Sequence, residues 1–126
     1  MVLEKYCIFA LKENQLQDAL RIPSFDRNYC WSGIAPDGRG AQVDLVLESK
    51  ASRTDFLCEM KFSSSRYAIS LEDEENMLHS VAAFETSKMH RGSHSIQLVL
   101  VTTMGIARGG HAGVVNRTVT LEDLFR

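Results

Sequence analysis

The sequence has few of the residues that mark secreted, membrane-bound or phosphate-coating proteins. Its three cysteines, Cys7, Cys30 and Cys58, are an odd count without Cys-x-x-Cys spacing. That argues against a disulfide framework and a zinc knuckle, and all three read as small buried hydrophobes in a reducing compartment. No apolar run approaches the roughly 20 residues of a membrane span, and no signal peptide is recognisable. A cytoplasmic protein without membrane contact is expected. A basic excess is also missing: 14 Lys and Arg stand against 16 Asp and Glu, for a net charge of −2. A protein living mainly on phosphate contacts shows the opposite balance, so any nucleic-acid role must come from a local site. There are no repeats and no low-complexity tracts.

What is present suits one globular unit. At 126 residues, 44% hydrophobic and 24% charged, the chain is expected to form a single domain over 1–126 with one core. Val2, Tyr6, Phe9, Ala10, Leu16, Ala19 and Leu20 lie at helical spacing, so a helix is expected over 2–20, ended by Pro23 and Ser24. Its start almost at Met1 suits a chain trimmed from something longer, and equally a start at a natural helix edge.

Strands are expected over 28–33, over Val43–Leu47, and over 55–62 after a polar loop at 48–54. Between the first two, Ala35 to Gly40 carries the Pro and Gly punctuation of a turn. Ser70 reads as the N-cap of a helix with an acidic first turn. That helix is expected to run to Gly92, with Leu71, Leu78, Val81, Ala82 and Met89 as its apolar stripe, Met77 and Phe84 beside it, and Lys88, His90 and Arg91 at its C-terminal end. Strands over 96–101 and 114–119 follow, separated by a glycine-rich loop at 105–113. Thr120 reads as the cap of a last helical turn. The expected class is α/β in the order α-β-β-β-α-β-β, a central mixed sheet flanked by helices.

Three polar residues occupy positions where this pattern calls for apolar ones. Asp44 interrupts Val43-Asp44-Leu45-Val46-Leu47. Glu59 and Lys61 flank Met60, and the strand period of two sets them on one face with Met60 opposite. If the two strands are neighbours, all three heads converge. Two adjacent carboxylates repel unless a cation lies between them, and hard oxygen ligands favour Mg²⁺ or Mn²⁺. The metal ligands expected are Asp44, Glu59 and the backbone carbonyl of Met60. A bound cation would polarise a phosphoryl oxygen and acidify a water, and Lys61 would orient that water or meet developing charge. The plainer reading of Glu59 and Lys61 is a charge pair on a half-exposed strand. His79, His90, His94 and His111 have no ligand spacing and read as surface residues.

An Asp followed a dozen or so residues later by Glu-x-Lys resembles the signature of the PD-(D/E)XK nuclease superfamily. More narrowly, Gly40-Ala41-Gln42-Val43-Asp44-Leu45 and Cys58-Glu59-Met60-Lys61-Phe62 are similar to the nuclease-like C-terminal domain of bacterial P-loop ATP-binding proteins. So are Val101-Thr102-Thr103-Met104-Gly105 and 118–125, so the resemblance covers nearly all of the chain after Gly40. It implies a restriction-endonuclease-like domain and metal-dependent phosphodiester hydrolysis of DNA or RNA. Asp44, Glu59 and Lys61 would be the catalytic residues, with Glu4 on the first helix and Gln42 as accessory positions. It also implies an ATPase partner or a second copy. Two departures stand out: the chain has no Walker motif, and Val43 replaces the usual Pro. The competing expectation is a catalytically silent module that keeps the fold for binding or regulation with an ATPase.

Overall fold

The computed structural model describes residues 15–21, 24–90 and 92–124. The elements are α1 (Gln15–Leu20), β1 (Arg27–Ile34), β2 (Gly40–Ser49), β3 (Thr54–Lys61), α2 (Leu71–Glu85), β4 (Ser95–Thr102), a 3₁₀ turn (Ala112–Val114), β5 (Arg117–Thr120) and α3 (Leu121–Leu124). The expected order and the α/β class hold. Of the helix expected over 2–20, residues 2–14, including Glu4 and Cys7, lie outside the described residues.

The strands form one sheet in the order β1-β2-β3-β4-β5. β1, β2 and β3 are an antiparallel meander, whereas β3, β4 and β5 run parallel. A parallel neighbour needs a crossover, and α2 supplies the one between β3 and β4. Both faces of the sheet are covered, so the central strands read as nearly unbroken apolar runs. On one face Leu45, Leu47, Phe56, Cys58, Met60, Val99 and Val101 pack with Leu20 of α1 and Leu124 of α3. On the other, Val43, Val46, Leu57, Leu98 and Leu100 pack with Trp31 and with Met77, Ala83 and Phe84 of α2. None of the described helices is long and apolar enough to cross a membrane.

Capping is local chemistry, and it was readable. The Ser70 hydroxyl accepts the Asp73 N–H and the Asp73 carboxylate accepts the Ser70 N–H, each at 3.0 Å, a reciprocal box that satisfies two orphan donors. Thr120 and Asp123 repeat this arrangement at the start of α3. The far end of α2 differs from expectation. The helix stops at Glu85, because the Thr86 and Ser87 hydroxyls donate to the carbonyls of Ala82, Ala83 and Phe84 and compete with the helical ladder. Lys88 and His90 therefore lie beyond it, and its last turn has no basic residue.

The buried face of α2 is also rotated from the expected stripe. Leu71 and Leu78 are more than half exposed, while Met77, Ser80, Ala83 and Phe84 are buried. Phe84 meets Trp31 edge-on at 5.4 Å. The strands begin and end within a few residues of expectation, except that β5 starts at Arg117 after the 3₁₀ turn. Glu48, Ser49 and Thr54 belong to buried strand ends, so the β2–β3 loop shrinks to 50–53.

Two readings of single residue types are corrected. Cys30 is exposed on β1, whereas Cys58 is buried. The histidines are mostly not free surface residues. His90 and His94 each place Nδ1 2.9 Å from a different oxygen of Asp55, a side chain that is itself buried. A carboxylate only accepts, so both rings donate. His111 binds Glu74 at 2.6 Å.

Candidate metal and phosphodiester site

β2 carries the feature that sets the site. Tyr29 pairs with Val46, but Trp31 pairs with Val43. Three steps of β2 thus face two steps of β1, and the extra residue falls at Asp44–Leu45. A bulge of this kind re-aims a side chain and loosens the ladder. The β2–β3 pairing then ends at Leu45 and Cys58. One position beyond, where Asp44 and Glu59 would stand opposite, the strands part. The Asp44 carboxylate spans the opening and accepts the Met60 N–H at 2.8 Å. An extended residue sends its N–H and C=O to the same side, which sets the Met60 carbonyl on the β2 edge of β3 as well.

The β3 residues obey the period of two. Met60 is buried in the α1–α3 core, while Glu59 and Lys61 line a cleft of about 680 Å³ on the α2 side. Its walls are the ends of β1 and β2, from Ser32 to Ile34 and Gly40 to Gln42, and the first half of α2, from Asp73 to Ser80. Gln42 also lines the cleft. Ser80 donates to its carbonyl at 3.2 Å, tying β2 to α2.

The electrostatics follow from this placement. Burial pushes the Glu59 carboxyl up to about 8; the nearby Asp44 charge adds to the rise and Lys61 opposes it. Asp44 is close enough for its charge to act on Glu59, and two neighbouring carboxylates are relieved by a shared proton or by a cation between them. Burial and the charges of Glu59 and Asp44 likewise push the Cys58 thiol up, which leaves it an inert part of the core. Lys61 makes no ion pair within 4.0 Å among the described residues, and its charge acts on both Glu59 and Asp73. Asp73 is engaged by Ser70 and by the Tyr67 hydroxyl at 2.9 Å, which hold its carboxyl below the ordinary range although burial opposes them.

The donor set suits a hard cation: two carboxylates and a backbone carbonyl, all oxygen. Among the described residues no group of three His, Cys, Asp or Glu side chains is arranged to hold a metal. A cation held by Asp44, Glu59 and the Met60 carbonyl would therefore keep waters in its other positions, as Mg²⁺ commonly does. Glu4 lies outside the described residues.

Sequence reasoning missed the α2 wall. Asp73 and Asn76 line the cleft from the start of α2, and neither carries a sequence signal beyond that of an acidic helix start. His79 was read as surface, yet it lines the cleft. Its Nδ1 is 3.5 Å from Arg39 and its Nε2 is 3.3 Å from the Gly40 carbonyl. Nothing in the spacing pointed to it, because its partners lie about 40 residues away in the β1–β2 turn. Compared with protein-family models, with curated proteins and with solved structures, the chain gives no match.

Proposed function

We propose that the domain is a metal-dependent nuclease that hydrolyses phosphodiester bonds of DNA or RNA in the cytoplasm. The observation that carries this reading is Asp44, at the β2 bulge, close enough to act on Glu59, which lines a cleft together with Lys61. Asp44, Glu59 and the Met60 carbonyl would hold Mg²⁺ or Mn²⁺. Such an ion supplies Lewis acidity to the phosphoryl oxygen and lowers the pKa of a bound water. In the net reaction a water oxygen forms a new bond to phosphorus, the P–O bond to the leaving oxygen breaks, and the leaving oxygen takes up a proton while the water gives one up. Lys61 faces the developing negative charge and orients the water. The resemblance to the PD-(D/E)XK superfamily supports this assignment of roles.

A second reading has its own support. The net charge of −2 suits a nuclease-fold module that binds or regulates an ATPase partner or a second copy. The two readings separate in one experiment: the chain is incubated with generic DNA and RNA in Mn²⁺ or Mg²⁺, beside Glu59→Ala. Cleavage that disappears in the variant supports the nuclease. No cleavage, or cleavage indifferent to Glu59→Ala, rejects it in favour of the module.

A further inference from the structure

We propose that the cleft takes a short, unpaired oligonucleotide of about two to four nucleotides, with contacts concentrated on one or two phosphates and one base; a duplex is excluded. The inference rests on the nuclease reading of Asp44, Glu59 and Lys61 and adds the class of substrate.

Size is the first argument. The cleft holds about 680 Å³, within the roughly 300–1,000 Å³ typical of small-ligand sites. Its lining comes from the β1–β2 ends and from α2, and a volume of this order holds a short piece of one strand.

Charge is the second. A duplex binder neutralises many phosphates, and roughly 6–10 contacts make its affinity collapse with salt. Among the described residues Lys61 is the one Lys or Arg lining the cleft, and Glu59 and Asp73 line it too. The nearby Arg39 is already paired with Asp37 at 2.8 Å. Beside the cleft, the first turn of α2 presents Glu72, Asp73 and Glu74. Phosphates running along α2 would meet like charge, so the favourable electrostatics extend over one phosphate and its neighbour.

The third argument is an apolar side chain the fold does not explain. Ile34 ends β1 with 68% of its surface exposed and lines the cleft rim. The face of one base against Ile34 would remove that surface from water, while Asn76 and Gln42 on the lining offer amides to a base edge. Long single strands are usually tracked by a basic groove with successive aromatic platforms; among the described residues the cleft lining has neither.

The test uses the 126-residue chain with Mn²⁺ and three substrates: a tetranucleotide, a long single strand and a linear duplex. The expected result is a kcat/KM per bond at least about tenfold higher on the tetranucleotide. Its log–log salt slope should be about −1 to −2, the signature of one or two phosphate contacts. Ile34→Ser should raise KM for the tetranucleotide several-fold at unchanged kcat. Preferred duplex cleavage, a slope steeper than about −4, or an Ile34→Ser variant with unaltered KM overturns the proposal. Binding of a phosphorothioate tetranucleotide in Ca²⁺, followed by fluorescence anisotropy, keeps the two readings apart. Tetranucleotide binding that exceeds duplex binding and is lost in Ile34→Ser, without cleavage of any substrate, upholds the cleft assignment and rejects the nuclease. Absence of both cleavage and binding rejects both.

Discussion

Asp44 accepts the backbone N–H of Met60 at 2.8 Å across the point where β2 and β3 separate. One oxygen of this carboxylate thus does the work of a missing ladder bond, and the group also stands beside Glu59. Its charge and its hydrogen bond are separable by substitution. Asp44→Asn keeps an acceptor for Met60 and loses the charge; Asp44→Ala loses both. In metal-free buffer Asp44→Ala should be less stable than Asp44→Asn by about 1–3 kcal/mol, the cost of an unsatisfied buried donor. Urea denaturation of the two variants side by side measures it.

The raised Glu59 carboxyl sets a pH dependence. Its folded value, about 8, lies above the ordinary 4.5, so the folded chain holds this proton more tightly than the unfolded one. The group's contribution to stability is complete below about 4.5 and is lost as pH rises through about 8. In EDTA the melting temperature of the wild type should fall across this window relative to Glu59→Gln, which has no proton to lose. Parallel pH profiles for the two proteins would refute the expectation.

A divalent cation should reverse that loss. Mg²⁺ or Mn²⁺ binding the native state stabilises it by about 2.7 kcal/mol at a hundredfold excess over Kd, so the melting temperature should climb with metal concentration. Glu59→Gln should abolish the climb. Lys61→Ala should retain it while turnover drops about 10²–10³-fold, the usual scale for losing one transition-state partner. Thermal melts over a metal titration, run alongside cleavage assays, test both halves.

Helix α2 offers a test of packing alone. Phe84 is fully buried and Leu78 is half exposed, although both are large apolar residues of one helix. Phe84→Ala should cost about 3–5 kcal/mol, whereas Leu78→Ala should stay within about 1 kcal/mol. Similar losses at both positions would mean that the helix is rotated from the orientation described.

These contrasts show which parts of the molecule could be read from the sequence. The alternation of Glu59, Met60 and Lys61 was legible because a strand's period is fixed by its own backbone. The Ser70 cap was legible because its partner is three residues away. The buried face of α2 was not, since apolar residues surround that helix and the sheet decides which of them it covers. The bulge at Asp44–Leu45 has no local signature; it exists only as a mismatch between two strands. His94 looked like a surface residue because the carboxylate that buries it is 39 residues upstream.

The sheet's strands lie side by side in the order in which the chain is made. During synthesis each strand therefore finds its neighbour already emerged, and the meander that carries Asp44, Glu59 and Lys61 is complete by residue 61. The outer edge of β3 then waits for β4, which begins at Ser95, an interval of about 2–7 s at ordinary elongation rates. Throughout that interval the fully apolar middle of β3, Phe56-Leu57-Cys58, is an unpaired strand edge open to other chains. The nascent protein is most vulnerable to aggregation between the third strand and the fourth.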